Sequence, residues 1–191
     1  MNILIIQGHP DASAPHLCHA LADAYAEGAE AGGHALRRIA VAEAPVTFLR
    51  SAREYAEGAL PDYARAAQEA VTWADHIVVV FPLWAGGMPA LLRAWFEQCF
   101  RESFVMEVKD GRMVRHLKGK SARLIVTMGM PSLFYRWYFG QPGTKLLRRS
   151  VLGFAGVRPV HQTLIGMVDR MTPEKAESGF ETLRALGRRA E

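Results

Sequence analysis

Three short stretches of the chain carry groups able to hold an anion or a flat ring. The first is Gly8-His9-Pro10-Asp11-Ala12-Ser13-Ala14-Pro15-His16, which leads into a segment with helical periodicity. A helix start offers unpaired N–H groups and the positive end of a dipole, which suits a phosphate. Ser13 is expected to cap that helix and donate to phosphate oxygens, and His9 to contact a diphosphate or ribose. The same residues also read as a capped helix start with a surface histidine. The stretch lacks the GK[ST] ending of a P-loop and is not GxGxxG. The second stretch is Pro82–Pro89. Gly86 and Gly87 allow backbone to approach a planar ring, and Leu83 and Trp84 offer apolar surface beside it; the plainer alternative is a tight turn with Trp84 as core filling. The third is Thr127-Met128-Gly129-Met130-Pro131-Ser132, followed by Leu133–Phe139. Backbone amides around Gly129 and the hydroxyl of Tyr135 are suited to stabilising negative charge on a bound ring. Phe134, Tyr135, Trp137, Tyr138 and Phe139 read equally well as a lid or a subunit interface.

These stretches matter only if the fold brings them together. Asn2–Gln7 reads as a strand and Ala14–Ala31 as a helix, with Leu17, Leu21, Ala24 and Gly28 on one face and Gly32-Gly33 ending it. His34–Val41 is a second strand. Glu43–Asp62 is irregular, with a short helix around Arg53–Gly58. Tyr63–Ala74 is a helix, Ile77–Phe81 a wholly apolar strand, and Pro89–Arg101 a helix whose Leu91, Leu92, Trp95, Phe96 and Cys99 form a stripe facing the sheet. Glu102–Lys118 is a long polar connection with a short hairpin or excursion. Ser121–Met128 is a strand, Met130–Pro142 an aromatic-rich loop, Thr144–Phe154 a helix, Arg158–Ile165 a strand and Pro173–Arg189 a final helix. Alternating strands and helices imply a parallel sheet with right-handed crossovers. The expected fold is a three-layer, flavodoxin-like α/β domain over residues 1–191, with five parallel strands in the order 2-1-3-4-5 and helices on both faces. In that order the loops after strands one, three and four lie side by side at the carboxyl edge, where the winding reverses.

A chain of 191 residues, half of them hydrophobic, has the length and composition of one ordinary domain. Cys18 and Cys99 stand alone, with no disulfide framework or metal-ligand spacing. The MNILIIQGHP start is a strand, not a signal peptide, and no apolar run approaches a bilayer span, so a cytoplasmic setting is expected. The net charge of +4, with basic residues spread from Arg93 to Arg149, reads as a solvated surface that attracts anionic small molecules. No nucleic-acid motif accompanies it.

The segments GHPDASAPHLCHAL, ADHIVVVFPLWAGGMPALLRAWFEQCF and LIVTMGMPSLFY resemble the NAD(P)H:quinone oxidoreductases of the flavodoxin-like superfamily. These include quinone reductases, drug-activity modulator-type reductases and the ancillary reductases of potassium-efflux systems. The resemblance implies a homodimer carrying a flavin, FAD or FMN. It also implies ping-pong hydride transfer from NAD(P)H and two-electron reduction of a quinone or similar electrophile, with no membrane insertion, though peripheral contact with a transporter is compatible. By position it implies that His9, Ser13 and His16 contact flavin phosphate and ribose. Pro82, Leu83, Trp84 and Ala85 would line the ring, and Thr127, Met128, Gly129 and Met130 would meet its pyrimidine end. Tyr135, together with Gly129, would stabilise the reduced ring. Two departures stand out. Gln141-Pro142 lies near the place where mammalian-type relatives have a histidine, and Ala85-Gly86 takes the place of an aromatic pair, which predicts a roomier or differently walled pocket, with Phe134, Trp137 and Tyr138 of this chain or of the partner subunit as the missing wall. A flavin-binding regulatory subunit of an efflux system and a flavodoxin-type electron carrier are the rival readings. The basic charge speaks against the carrier.

Overall fold

An apolar run such as Ile77–Phe81 has no polar face, so a strand built from it must be covered on both sides. In the computed structural model, which describes residues 1–191, this requirement organises the chain. The elements run β1 (Asn2–Gln7), α1 (Leu17–Ala31), β2 (Ala35–Ala40), α2 (Ala52–Glu57), α3 (Asp62–Trp73), β3 (His76–Pro82), α4 (Ala90–Cys99) and the single-turn α5 (Glu102–Val105). A hairpin of β4 (Met106–Lys109) and β5 (Arg112–Arg115) follows, then β6 (Ser121–Thr127), α6 (Ser132–Trp137), α7 (Pro142–Lys145), α8 (Gly153–Ala155), β7 (Val160–Ile165) and α9 (Pro173–Arg189). Five parallel strands lie in the order β2-β1-β3-β6-β7. This is the expected 2-1-3-4-5 order, because β4 and β5 pair only with each other, antiparallel.

All seven residues of β3 are buried, and its side chains alternate between two cores. Ile77, Val79 and Phe81 join Leu4, Ile6, Leu92 and Trp95 on one face. Val78 and Val80 join Ile3, Ile5, Leu21 and Tyr25 on the other. Each such large side chain withdrawn from water contributes about 1.5–3 kcal/mol. On the second face α1 and α9 cross at backbone distance. A Cβ at Gly28 would run into the Arg184 carbonyl, and one at Gly187 into the Tyr25 carbonyl, so both positions require glycine.

Several expected boundaries shift for local reasons. The first helix begins at Leu17, not Ala14, because Ala14 precedes Pro15 and is pushed out of helical conformation; His16 is its N-cap. The aromatic stretch expected as a loop is helical over Ser132–Trp137, with Pro131 before its first turn. The helix expected at Thr144–Phe154 begins at Pro142 and passes through a π-helical segment, Leu146–Leu152. The fifth sheet strand starts at Val160, after Pro159, which has no N–H to give a ladder. No helix of the chain is long and apolar enough to cross a membrane.

Candidate functional site

β1 and β3 are adjacent, yet α1 packs on one face of the sheet and α4 on the other. The crevice opens where these crossovers diverge. Short backbone bonds lace the three loops there into one rim. Gly8 N–H donates to the Val80 carbonyl at 2.7 Å, and Leu83 N–H donates to the Thr127 carbonyl at 2.8 Å. A Cβ at Gly8 would meet Leu92 Cδ2 at 2.6 Å, so the first loop enters this edge pressed against α4.

In the first loop the donors suited to an anion already hold one. The Asp11 carboxylate accepts from Ser13 N at 2.8 Å, Ser13 Oγ at 2.6 Å and His16 Nε2 at 2.8 Å. The two Ser13 bonds, with His16 next, hold the Asp11 carboxyl well below the usual carboxylate range. Ser13 therefore does not cap the helix, as had been expected; its hydroxyl is committed to Asp11. His9 is buried, stacked on His16 with centroids 3.9 Å apart and edge-on to Trp84 at 6.1 Å. Burial is the main cause that lowers its pKa, with His16 and His19 adding to it against the backbone bond to Asp11. His9 Nδ1 lies 3.2 Å from both the Asp11 amide and the Asp11 carbonyl, so either neutral tautomer finds a partner there. His19, one helical turn beyond His16, accepts the His16 amide on Nδ1 at 3.1 Å. Gln7, His9, Ser13 and His19 line a cavity of about 370 Å³ at this helix start. His19 and Gln7 were missed from the sequence. Only the His16–His19 spacing, one turn apart on a helix, signals the first of them.

The second loop is a two-residue turn. Trp84 and Gly87 exchange N–H···O bonds of 2.9 Å. Ala85 and Gly86 between them both have positive φ, 47° and 78°, the geometry of a type I′ turn. Pro82 is buried at the end of β3, Leu83 is partly buried, and Trp84 is 51% exposed beside the crevice rather than filling the core. In the third loop Thr127 and Met128 are buried. The Thr127 hydroxyl lies 3.3 Å from Cys18 Sγ, whose pKa burial pushes up to about 11. The amides of Ala85, Gly86, Gly129 and Met130 make no hydrogen bond within the chain. Asp169 flanks this loop, its Oδ2 2.7 Å from where a Gly129 Cβ would stand.

Tyr135 differs from expectation. It is completely buried. Its hydroxyl donates to the Gly86 carbonyl at 3.4 Å and accepts the Thr144 amide at 3.2 Å. With its one proton so placed, the phenol braces the Ala85-Gly86 turn against α7 and offers no donor to a ligand in this geometry. Gly143 makes the same contact closer still, since a Cβ there would lie 2.5 Å from Gly87 Cα and 2.6 Å from Gly86 O. Gln141 accepts from Gln162 Nε2 at 2.6 Å and so is engaged with β7. Phe134 and Trp137 are exposed on α6, and Tyr138 directly after it. A larger apolar cavity of about 490 Å³, lined by Phe96, Phe100, Val151 and Phe154 among others, shares no residue with the three loops.

The sequence pattern of the flavodoxin-like fold matches residues 1–187. A ribosyldihydronicotinamide dehydrogenase-like protein of Penicillium crustosum is 37% identical over 87 residues, 41% of this chain and 33% of the relative. An FMN-dependent NADH:quinone oxidoreductase of Listeria innocua is 33% identical over 115 residues, 54% of this chain and 49% of the relative. The chain thus spans a third to half of the length of these relatives. The structure of an NAD(P)H:quinone oxidoreductase from Methanothermobacter marburgensis superposes with a TM-score of 0.79 at 20% identity, covering 100% of this chain and 96% of that one; this is a likeness of fold. A match from the first strand to the last helix, on a sheet of this order with its crevice between β1 and β3, leaves one assignment: the chain belongs to the flavodoxin-like fold family.

Proposed function

We propose that the crevice binds a flavin, FAD or FMN, and that the chain is an NAD(P)H oxidoreductase acting on quinones or similar electrophiles. One observation carries this reading. Four backbone amides without partners, at Ala85, Gly86, Gly129 and Met130, occupy two adjoining loops beside the exposed indole of Trp84. Donors without acceptors next to an apolar plane fit a flat heterocycle with a polar edge, and the resemblance to flavin enzymes supports that choice. When bound, the flavin would accept a hydride from NAD(P)H and pass two electrons on, donor and acceptor using the site in turn.

The chain's own groups would position and stabilise. Pro82, Leu83, Trp84 and Ala85 form the wall, with Ala85 too small to crowd it. Thr127 and Met128 hold the third loop in place, while the Gly129 and Met130 amides donate to negative charge. Each such donor in a dry site is worth about 3 kcal/mol. Tyr135 acts as a positioning residue, through the turn it braces. His9, Ser13 and His16 would take phosphate and ribose oxygens, joined by His19. For Ser13 and His16 to do so, the Asp11 carboxylate must give up those donors. A homodimer is the expected assembly.

The test is a spectrum of the purified chain, flavin release and reconstitution, then NADH and NADPH oxidation with menadione. A bound flavin and menadione-dependent turnover are expected. A chain that takes up neither FAD nor FMN overturns the reading. A flavin that titrates in two separate one-electron steps, without NAD(P)H turnover, replaces it with an electron carrier.

A further inference from the structure

Between Gly111 and Val168 the chain holds ten Lys and Arg residues and no Asp or Glu. With a net charge of only +4 overall, the remainder is net negative. Lys120 and Arg123 of this span turn inward onto backbone carbonyls. Arg136 and Arg149 are exposed, and Lys145 and Arg148 are partly so. In the middle of the span sits α6, where every residue from Leu133 to Phe139 except Tyr135 faces solvent. Trp137 is 80% exposed, Tyr138 74% and Leu133 65%. Phe134 and Tyr138 stack at 4.7 Å and Phe139 closes edge-on against both, so the patch is a preformed aromatic ridge. Lys145 adjoins it, its Nζ 3.8 Å from where a Gly140 Cβ would stand. Arg148 and Arg149 follow within about one helical turn.

Exposed apolar patches of this kind mark partner or membrane sites, and the charge decides which. In a two-fold contact the residues at the axis meet their own copies, so a dimer centred on this ridge would bring its cations against their duplicates, with no carboxylate in the span to answer them. No nucleic-acid motif accompanies the ridge. Trp and Tyr beside Lys and Arg is the composition of a bilayer interface, where amphipathic rings sit at headgroup level and cations attract anionic lipid.

We propose that the α6 ridge docks this protein on the surface of an anionic lipid bilayer. The chain lies on the membrane there without crossing it. Because α6 begins three residues beyond Gly129, docking also brings the crevice to the surface where lipid-soluble acceptors are dissolved. The lipid contact itself needs no flavin, so it stands or falls separately from the redox reading.

The test is co-sedimentation of the full chain, as purified, with phosphatidylcholine vesicles, with and without phosphatidylglycerol. Binding is expected with phosphatidylglycerol, is much weaker without it, and is reversed by salt. Trp137→Ala with Tyr138→Ala should abolish it while far-UV circular dichroism and thermal midpoint hold. Arg148→Gln and Arg149→Gln should each weaken it about fivefold. No sedimentation with the anionic vesicles overturns the proposal, as does undiminished binding by the Trp137/Tyr138 variant. A fall in oligomeric size in that variant overturns it in favour of a subunit interface. Displacement from vesicles by single-stranded DNA that binds more tightly than lipid overturns it in favour of nucleic acid.

Discussion

The two edges of the central sheet treat their backbone differently. At the amino edge, side chains close the polar groups. Lys120 Nζ donates to the carbonyls of Thr72 and Ala74 at 2.7 and 2.6 Å, Asn2 reaches the Trp73 carbonyl, and Asp75 accepts the Asn2 amide. At the carboxyl edge, β3 and β6 run out into loops whose amides at Ala85, Gly86, Gly129 and Met130 are left open. Under the reading we propose, those open donors serve a bound ligand, whereas the paired groups of the amino edge serve stability.

The comparison can be broken most strongly from the amino edge. His76 is buried there, with Nδ1 2.7 Å from Ser121 Oγ and Nε2 without a partner. Burial, then Arg123, lowers its pKa from 6.5 to about 4. Between those pH values the unfolded chain binds the extra proton, so stability is full above the higher value and falls as pH drops toward the lower. Denaturant unfolding should lose about 3 kcal/mol from pH 7 to pH 4 through this group. His76→Asn should flatten that slope, and an unchanged slope would remove His76 from the amino-edge account.

At the carboxyl edge, Gly143→Ala drives a Cβ into the backbone of Gly86 and Gly87. A loss of about 2 kcal/mol is expected, with flavin retention falling further than the global unfolding midpoint does. Equal falls in both would mean the turn is part of the general framework. Tyr135→Phe removes the acceptor of the buried Thr144 amide and should cost about 1–2 kcal/mol. It should also slow NAD(P)H-dependent reduction by loosening the turn. If stability alone changes, Tyr135 has no bearing on the site. The smallest effect is at Ala85, a left-handed alanine. Ala85→Gly should stabilise the fold by about 0.5–1 kcal/mol in urea unfolding, because glycine relieves the strain of a left-handed residue at the carboxyl edge.

Parts of this contrast were readable before any coordinates. A five-residue apolar run closed by Pro82, Gly86 and Gly87 can hardly be anything but a central strand leaving the sheet. The β1 and α9 limits follow equally from pattern and from the flanking Thr172 and Pro173. The destinations of single polar atoms were not readable. Ser13 has the composition of a helix cap, yet its hydroxyl goes to Asp11, because Pro15 delays the helix and leaves His16 to start it. Tyr135 sits in a run of five aromatics that look alike in sequence. Only its place on α6 turns it inward while Phe134, Trp137 and Tyr138 point out.

By itself, the sequence determined the alternation of elements, the sheet order and the three loops that meet at the carboxyl edge, because hydrophobic period and Gly/Pro punctuation are local properties of the chain. Only the tertiary structure decided which amides at those loops stay open, that Asp11 already occupies the anion donors, and that an acid-free span surrounds one aromatic ridge. Those outcomes depend on distances between residues far apart in the chain, which no local pattern encodes.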